Sequence, residues 1–263
     1  MRTATCIIEM NLNHLNEEDR LFISRIGDLF AISQTRNIPK YIGFLNEREV
    51  FLASELIRQQ GFTGCRFFGG YEGAARVVLG ALPDYLQDSE ASFPVRCVGV
   101  RYPKQYALSH RDFLGTLMHL NIARECVGDI VVGEGQAYLF VLEQVVPLIL
   151  DEVVKIGSVG VKCEETQPPE IESEQAFEEI SGTIGSERLD AVVALATRLS
   201  RQKSCELISR GLVQLQYETV SKPDIPLKEG DVFSIRGYGK YKLSRIGSLS
   251  KKGHLHITIE QYR

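Results

Sequence analysis

The 263-residue sequence contains no tryptophan, no Cys-x-x-Cys pair and no apolar run approaching the ~20 residues that a membrane-spanning helix needs. The lack of tryptophan says nothing about function, whereas each of the other two absences excludes a class of protein. The six cysteines, Cys6, Cys65, Cys97, Cys126, Cys163 and Cys205, stand singly. Neither a zinc knuckle nor a thioredoxin motif can form locally, and free, mostly buried thiols are expected. The N-terminal MRTATCIIEM has no basic segment followed by a long apolar one, so no signal peptide or membrane anchor is predicted and the chain reads as cytosolic. There is no Gly-Lys-Ser/Thr of a phosphate loop, and Gly133-Glu134-Gly135 and Gly157-Ser158-Val159-Gly160 are too short for a dinucleotide fingerprint. No cofactor is expected. His110-Arg111-Asp112 resembles a kinase catalytic loop, but the glycine-rich loop, strand lysine and Asp-Phe-Gly that the chemistry needs are missing. Ser109 capping a helix whose first turn holds Asp112 is the better reading.

What is present is an uneven charge. From Ser181 onward there are fourteen basic and eight acidic side chains, a net of +6, so the preceding residues carry −10 of a chain whose formal charge is −4. A basic module on an acidic body implies one polyanion-binding surface on a carrier oriented by other contacts. Between the two, residues 164–179 hold seven glutamates, Pro168-Pro169 and no base. That is the composition of an extended, self-repelling linker, placed at 164–180.

Apolar periodicity predicts an α+β protein. Asn16 followed by Glu17, Glu18 and Asp19 opens a helix over 16–33, with Phe22, Ile26, Leu29 and Phe30 as its buried stripe. Asn46 and Glu49 repeat the start signal, and Gly61 stops that helix. Residues 65–81 read as short strands broken at Gly69-Gly70, giving a small α/β domain over 1–89. Residues 93–163 follow the order βαββαβ, the plait shared by ferredoxins and RNA-recognition modules. Its strands are expected at 95–102, 129–132, 137–142 and 158–163, its helices at 109–120 and 143–155, with Pro147 in the first turn of the second. Tyr138 and Phe140 alternate like base-stacking aromatics, although core packing is the better reading. The remaining 181–263 read as two helices, the second capped by Ser200 and closed by Gly211, facing a small sheet with strands at 212–216, 232–236 and 256–260. His254 and His256 share a strand face without a visible third ligand, so no metal is expected.

In the second helix of that module Arg201 and Lys203 fall in the first turn and Arg210 at the end, while Cys205 and Ile208 face inward. The result is a basic strip beside a helix N-terminus, suited to phosphate because dipole and side chains add in sign. Arg188 extends it. Arg236, Lys240 and Lys242 join the set by charge and placement.

The run ERLDAVVALATRLSRQKSCELISRGLVQL, continued by PDIPLKEGDVFSIRG, is similar to the RNA-binding domain of small-subunit ribosomal protein four over residues 188–237. Its marks are Arg-Leu-Asp opening one helix, Ser-Arg the next, and a later Gly-Asp. Where that family has Val-Asn-Gly, this chain has Leu215-Gln216-Tyr217. The body narrows the resemblance: FFGGYEGAARVV at 67–78, SHRDFLGTLMHLNIARECVGDIVV at 109–132 and SIRGYGKYKL at 234–243 look like YlmH proteins. The resemblance implies a monomeric, non-catalytic factor that binds ribosomal RNA and tRNA on the large ribosomal subunit, with no small-molecule substrate. It further implies quality control of stalled nascent chains and a link to cell division. Matching motif positions carry over Arg188, Asp190, Ser200 and Arg201 as RNA-binding residues. Two alternatives stay open. Pseudouridine synthases often carry this domain and contain an Arg-Leu-Asp with a catalytic acid, but here the motif belongs to the small domain and no large catalytic domain follows. The acidic body would serve a protein-binding scaffold.

Overall fold

Asn16 starts the first helix, α1 (Glu17–Arg36), by accepting the Asp19 amide at 2.8 Å while the Asp19 carboxylate accepts the Asn16 amide at 3.3 Å. The computed structural model describes residues 15–86, 93–171, 177–249 and 253–262; Cys6, Glu172, Glu174, Lys251, Lys252 and Arg263 lie outside them. Strand β1 (Lys40–Leu45) leads to α2 (Glu47–Gln60), again capped reciprocally by Asn46 and Glu49 and ended by Gly61 in the left-handed region. Strands β2 (Cys65–Phe68) and β3 (Val77–Ala81) follow, and β3 lies between β1 and β2 in an antiparallel sheet. Phe22, Ile26, Leu29 and Phe30 of α1 pack with Leu52, Ala53 and Leu56 of α2 on one face of it.

The plait is formed by β4 (Val95–Arg101), α3 (His110–His119), β5 (Val127–Val132), β6 (Gln136–Leu142), α4 (Val146–Glu152) and, after a two-strand ribbon of β7 (Lys155–Ile156) and β8 (Val159–Gly160), β9 (Lys162–Thr166). The antiparallel order β5-β6-β4-β9 is that of the βαββαβ sandwich. Two details differ from the sequence expectation. The second helix has its α-helical part only from Val146, with Pro147 in the first turn. The last strand is displaced to Lys162–Thr166, because residues 155–160 pair with each other.

The chain divides into two compact units, Met1–Ser173 and Glu174–Arg263. The expected separation of 1–89 from 93–163 is therefore not a boundary between units. Phe44, Val78 and Leu82 share a core with Phe93, Val95, Cys97 and Phe140, so the N-terminal sheet covers the outer face of the plait. Gly70, at φ +102°, permits this close approach: a Cβ there would stand 2.4 Å from the Phe140 ring. Tyr71 then packs against Phe140 with ring centroids 4.7 Å apart and planes inclined at 37°. Arg76 fastens the same loop, donating to the carbonyls of Phe44 (2.7 Å), Val127 (3.0 Å) and Arg124 (3.3 Å), while Asp129 accepts the Ala75 and Arg76 amides and the Tyr71 hydroxyl. Burial, with the neighbouring Arg124, pulls the Arg76 guanidinium down to about 10.

The expected linker at 164–180 also contracts. Glu164 and Glu165 lie on β9, where Arg101 and Arg96 of β4 pair with them, and Glu178 and Glu179 lie on β10 (Phe177–Ile184). For Glu164 and Glu165, strand neighbours supply the charge compensation that local sequence lacks. The second unit continues with α5 (Leu189–Thr197), α6 (Arg201–Ser209), β11 (Val213–Leu215), β12 (Glu218–Val220), β13 (Val232–Ile235), β14 (Gly239–Leu249) and β15 (Leu255–Tyr262). Its antiparallel sheet runs β10-β15-β14-β13-β11-β12. Leu189, Val192 and Val193 of α5 and Ile208 of α6 pack on Phe233, Ile235, Tyr241, Leu243, Ile257 and Ile259. By strand alternation the residues between these face the other side.

Candidate RNA interface

Arg188 is the N-cap of α5 and Asp190 lies in its first turn, where a carboxylate complements the helix dipole. The start of α5 is held by a strand-like crossing: the Leu189 and Asp190 amides donate to the Ile225 and Pro223 carbonyls, and the Leu227 amide to Glu187. The second helix begins next to this anchor. Ser200 caps α6, its hydroxyl accepting the Lys203 amide at 3.4 Å and its carbonyl accepting the Ser204 hydroxyl at 3.2 Å.

Two guanidinium groups converge on one buried carboxylate. Arg201 donates through Nε to Asp190 Oδ2 at 2.8 Å and through Nη2 to Oδ1 at 3.3 Å, while Arg188 donates through Nε to Oδ1 at 3.1 Å and through Nη2 to Oδ2 at 3.4 Å. The Asp190 side chain is 3% exposed, against 42% for Arg188 and 53% for Arg201. Burial pushes the Asp190 carboxyl upward, but the hydrogen bonds from Arg201 and then Arg188 prevail and leave it below its ordinary value. Each arginine spends its Nε side on Asp190 and turns its Nη1 edge elsewhere.

Asp190 is thus buried and acts as the post that fixes the two arginines. Ser200 caps α6 as expected from the sequence and remains exposed. Lys203 and Arg210 are exposed, at the first turn and the C-cap of α6. No acid lies in that first turn, so Arg201 and Lys203 oppose the dipole of their own helix, and Asp190 compensates only the former.

The structure does not bring Lys240 and Lys242 to this strip. Both alternate with the core residues Tyr241 and Leu243 on β14 and so stand on the sheet face opposite the helices. Lys242 pairs with Glu260 at 3.8 Å. Arg236 is exposed at the turn after β13. Sequence reasoning also missed the aromatic partners of Lys240, Tyr217 and Tyr262; they are 23 and 22 residues from it along the chain, and only sheet pairing joins them. Within the first unit, Phe140 is fully buried, so the sheet face with which RNA-recognition modules stack on bases is occupied by the protein itself. The bland expectation of core packing holds.

Residues 88–170 match the family model described as "Putative RNA-binding domain in YlmH". The chain is 32% identical to the "Ribosome-associated protein quality control protein P2" of Bacillus subtilis over 252 residues, 95% of this chain and 98% of that protein. The solved "Cell division protein ylmH from Streptococcus pneumoniae" aligns with a TM-score of 0.50 and 27% identity, covering 60% of this chain and 95% of that one. Motifs distributed over both units, and an alignment spanning nearly the full length of a relative, place this chain in the YlmH family.

Proposed function

We propose that this protein is a non-catalytic factor that binds RNA on ribosomal particles, with the Arg188–Asp190–Arg201 fork as its phosphate-holding centre. The observation that carries the reading is the pair of half-exposed guanidinium groups fixed on a buried carboxylate beside Lys203. Pre-ordered arginines lose little side-chain freedom on binding and present a planar donor edge to a phosphate. The family model's description supports RNA as ligand, and the name of the Bacillus relative supports the ribosome as its setting. Ribosomal RNA and tRNA on the large subunit, during quality control of stalled nascent chains, are the targets we assign. The name of the pneumococcal protein supports a further link to cell division. Burial of Asp190 between two arginines favours a structural role for the acid that pseudouridine synthases would use in catalysis. Cosedimentation of the full chain with purified large subunits tests the reading: Arg188→Ala with Arg201→Ala should abolish association. Retention of wild-type association by that folded double variant would refute it.

A further inference from the structure

The motif at residues 234–243 takes no part in the arginine fork, and its polar members lie on the sheet face that the helices leave uncovered. Cross-strand register aligns Phe177 with Tyr262, Lys240 with Ser234 and Ser234 with Gln214 on that face. The Lys240 ammonium stands 4.7 Å from the Tyr262 ring centroid and 5.3 Å from that of Tyr217. It thus lies at cation–π distance from both rings. Phe177 meets Tyr262 edge-on at 5.0 Å and still leaves 44% of itself exposed on the edge strand. Toward β11 a groove of about 580 Å³ opens, lined among others by Gln214, Ser234 and Arg236. The Ser234 hydroxyl lies 3.2 Å from the Gln214 side-chain oxygen. These aligned residues include no acid, whereas Glu179, Glu260 and Lys242 lie one row further along the strands.

We propose that this outer sheet face binds a single-stranded segment of RNA. A base stacks on Phe177 beside Tyr262, Lys240 and Arg236 hold the flanking phosphates, and the amide and hydroxyl of Gln214 and Ser234 meet the edge of a neighbouring base. Rings, cations and neutral hydrogen-bonding groups in one row are the components of a stacking platform. Duplex RNA does not fit, because its bases are already stacked on one another. A protein partner fits less well, since a docking face would offer a larger contiguous apolar patch than Phe177 and its neighbours. The inference rests on the RNA-binding reading but uses residues outside the fork.

The test is fluorescence anisotropy of the full chain with a labelled single strand of about 12 nucleotides and with the corresponding blunt duplex. Phe177→Ala and Lys240→Ala should each weaken single-strand binding about five- to tenfold and leave duplex binding unchanged. Phe177→Tyr, which keeps the ring, should bind as wild type does. If Phe177→Ala is misfolded by circular dichroism, Lys240→Ala with Gln214→Ala decides the matter. Single-strand affinity unchanged in these folded variants overturns the proposal. Should Arg201→Ala abolish binding in that case, the fork is the whole interface and the functional reading survives alone. RNA affinity retained by every variant, Arg201→Ala included, defeats both. Loss of ribosome association by the Phe177 and Lys240 variants with RNA affinity intact would assign the face to a protein and also overturn it.

Discussion

Asp190 shows how much one buried side chain can decide. Its carboxylate is nearly inaccessible while both arginines it holds are about half exposed. Asp190→Asn should cost about 1–2 kcal/mol, less than a fully buried pair, because freed guanidinium groups can turn to solvent. Its folded-state carboxyl lies below the ordinary 3.8. The stability it contributes is thus present above that value and lost as pH falls through the lowered folded value. Chemical denaturation of wild type and Asp190→Asn should therefore give a difference that is constant near neutrality and shrinks below about pH 4. A difference that does not change with acid would mean that the ionised carboxylate contributes nothing to it. Arg201→Ala tests function at the same scale. Loss of a charged phosphate contact of roughly 1.5–3 kcal/mol predicts about a tenfold to hundredfold weaker association with large subunits, read by cosedimentation.

Secondary-structure elements were legible where their signals are local. Capping residues Asn16, Asn46, Ser109 and Ser200 mark helix starts that the structure keeps. β10 was hidden because its glutamates read as a linker and its apolar partners lie in β15, about 80 residues on. The module therefore begins before Ser181. A fragment beginning at Glu174 should fold and bind RNA weakly, whereas one cut at Ser181 loses the pairs from Phe177 to Ile180 and should melt at a distinctly lower temperature; equal melting temperatures would show that this end of β10 is dispensable. Arg198 ends α5 at φ +57°, a conformation in which glycine carries no Cβ penalty. Arg198→Gly should raise the stability of this unit by roughly 0.5–1 kcal/mol, measured by urea titration. In the first unit, Arg76→Ala removes the donor shared by three carbonyls of two segments, Phe44 on one side and Arg124 and Val127 on the other. A loss of about 2–4 kcal/mol is expected by the same titration.

For the whole molecule, the uneven charge predicts a salt dependence. If the fork, Lys203 and Arg210 neutralise about three or four phosphates, log–log plots of affinity against salt should slope at roughly −2 to −4. Shape-read contacts and stacking would survive at high salt. An enzyme could show the same slope, so mass spectrometry of RNA before and after incubation is the companion measurement. A binding factor returns RNA unmodified. A modified base made by wild type and lost in a folded Asp190→Ala variant would support the pseudouridine-synthase alternative.

Local chemistry alone determined the helix starts, the βαββαβ order, the basic C-terminal module and the family resemblance, because caps, periodicity and motif spacing act over a few residues. Tertiary structure decided the rest. It joined the N-terminal sheet to the plait through the Phe44–Phe140 core, drew the ends of the acidic stretch into two sheets, and buried Asp190 between two arginines. It also split one list of cations between opposite faces of a sheet. These outcomes depend on which strands pair and which faces are covered, and residues far apart in the chain settle both.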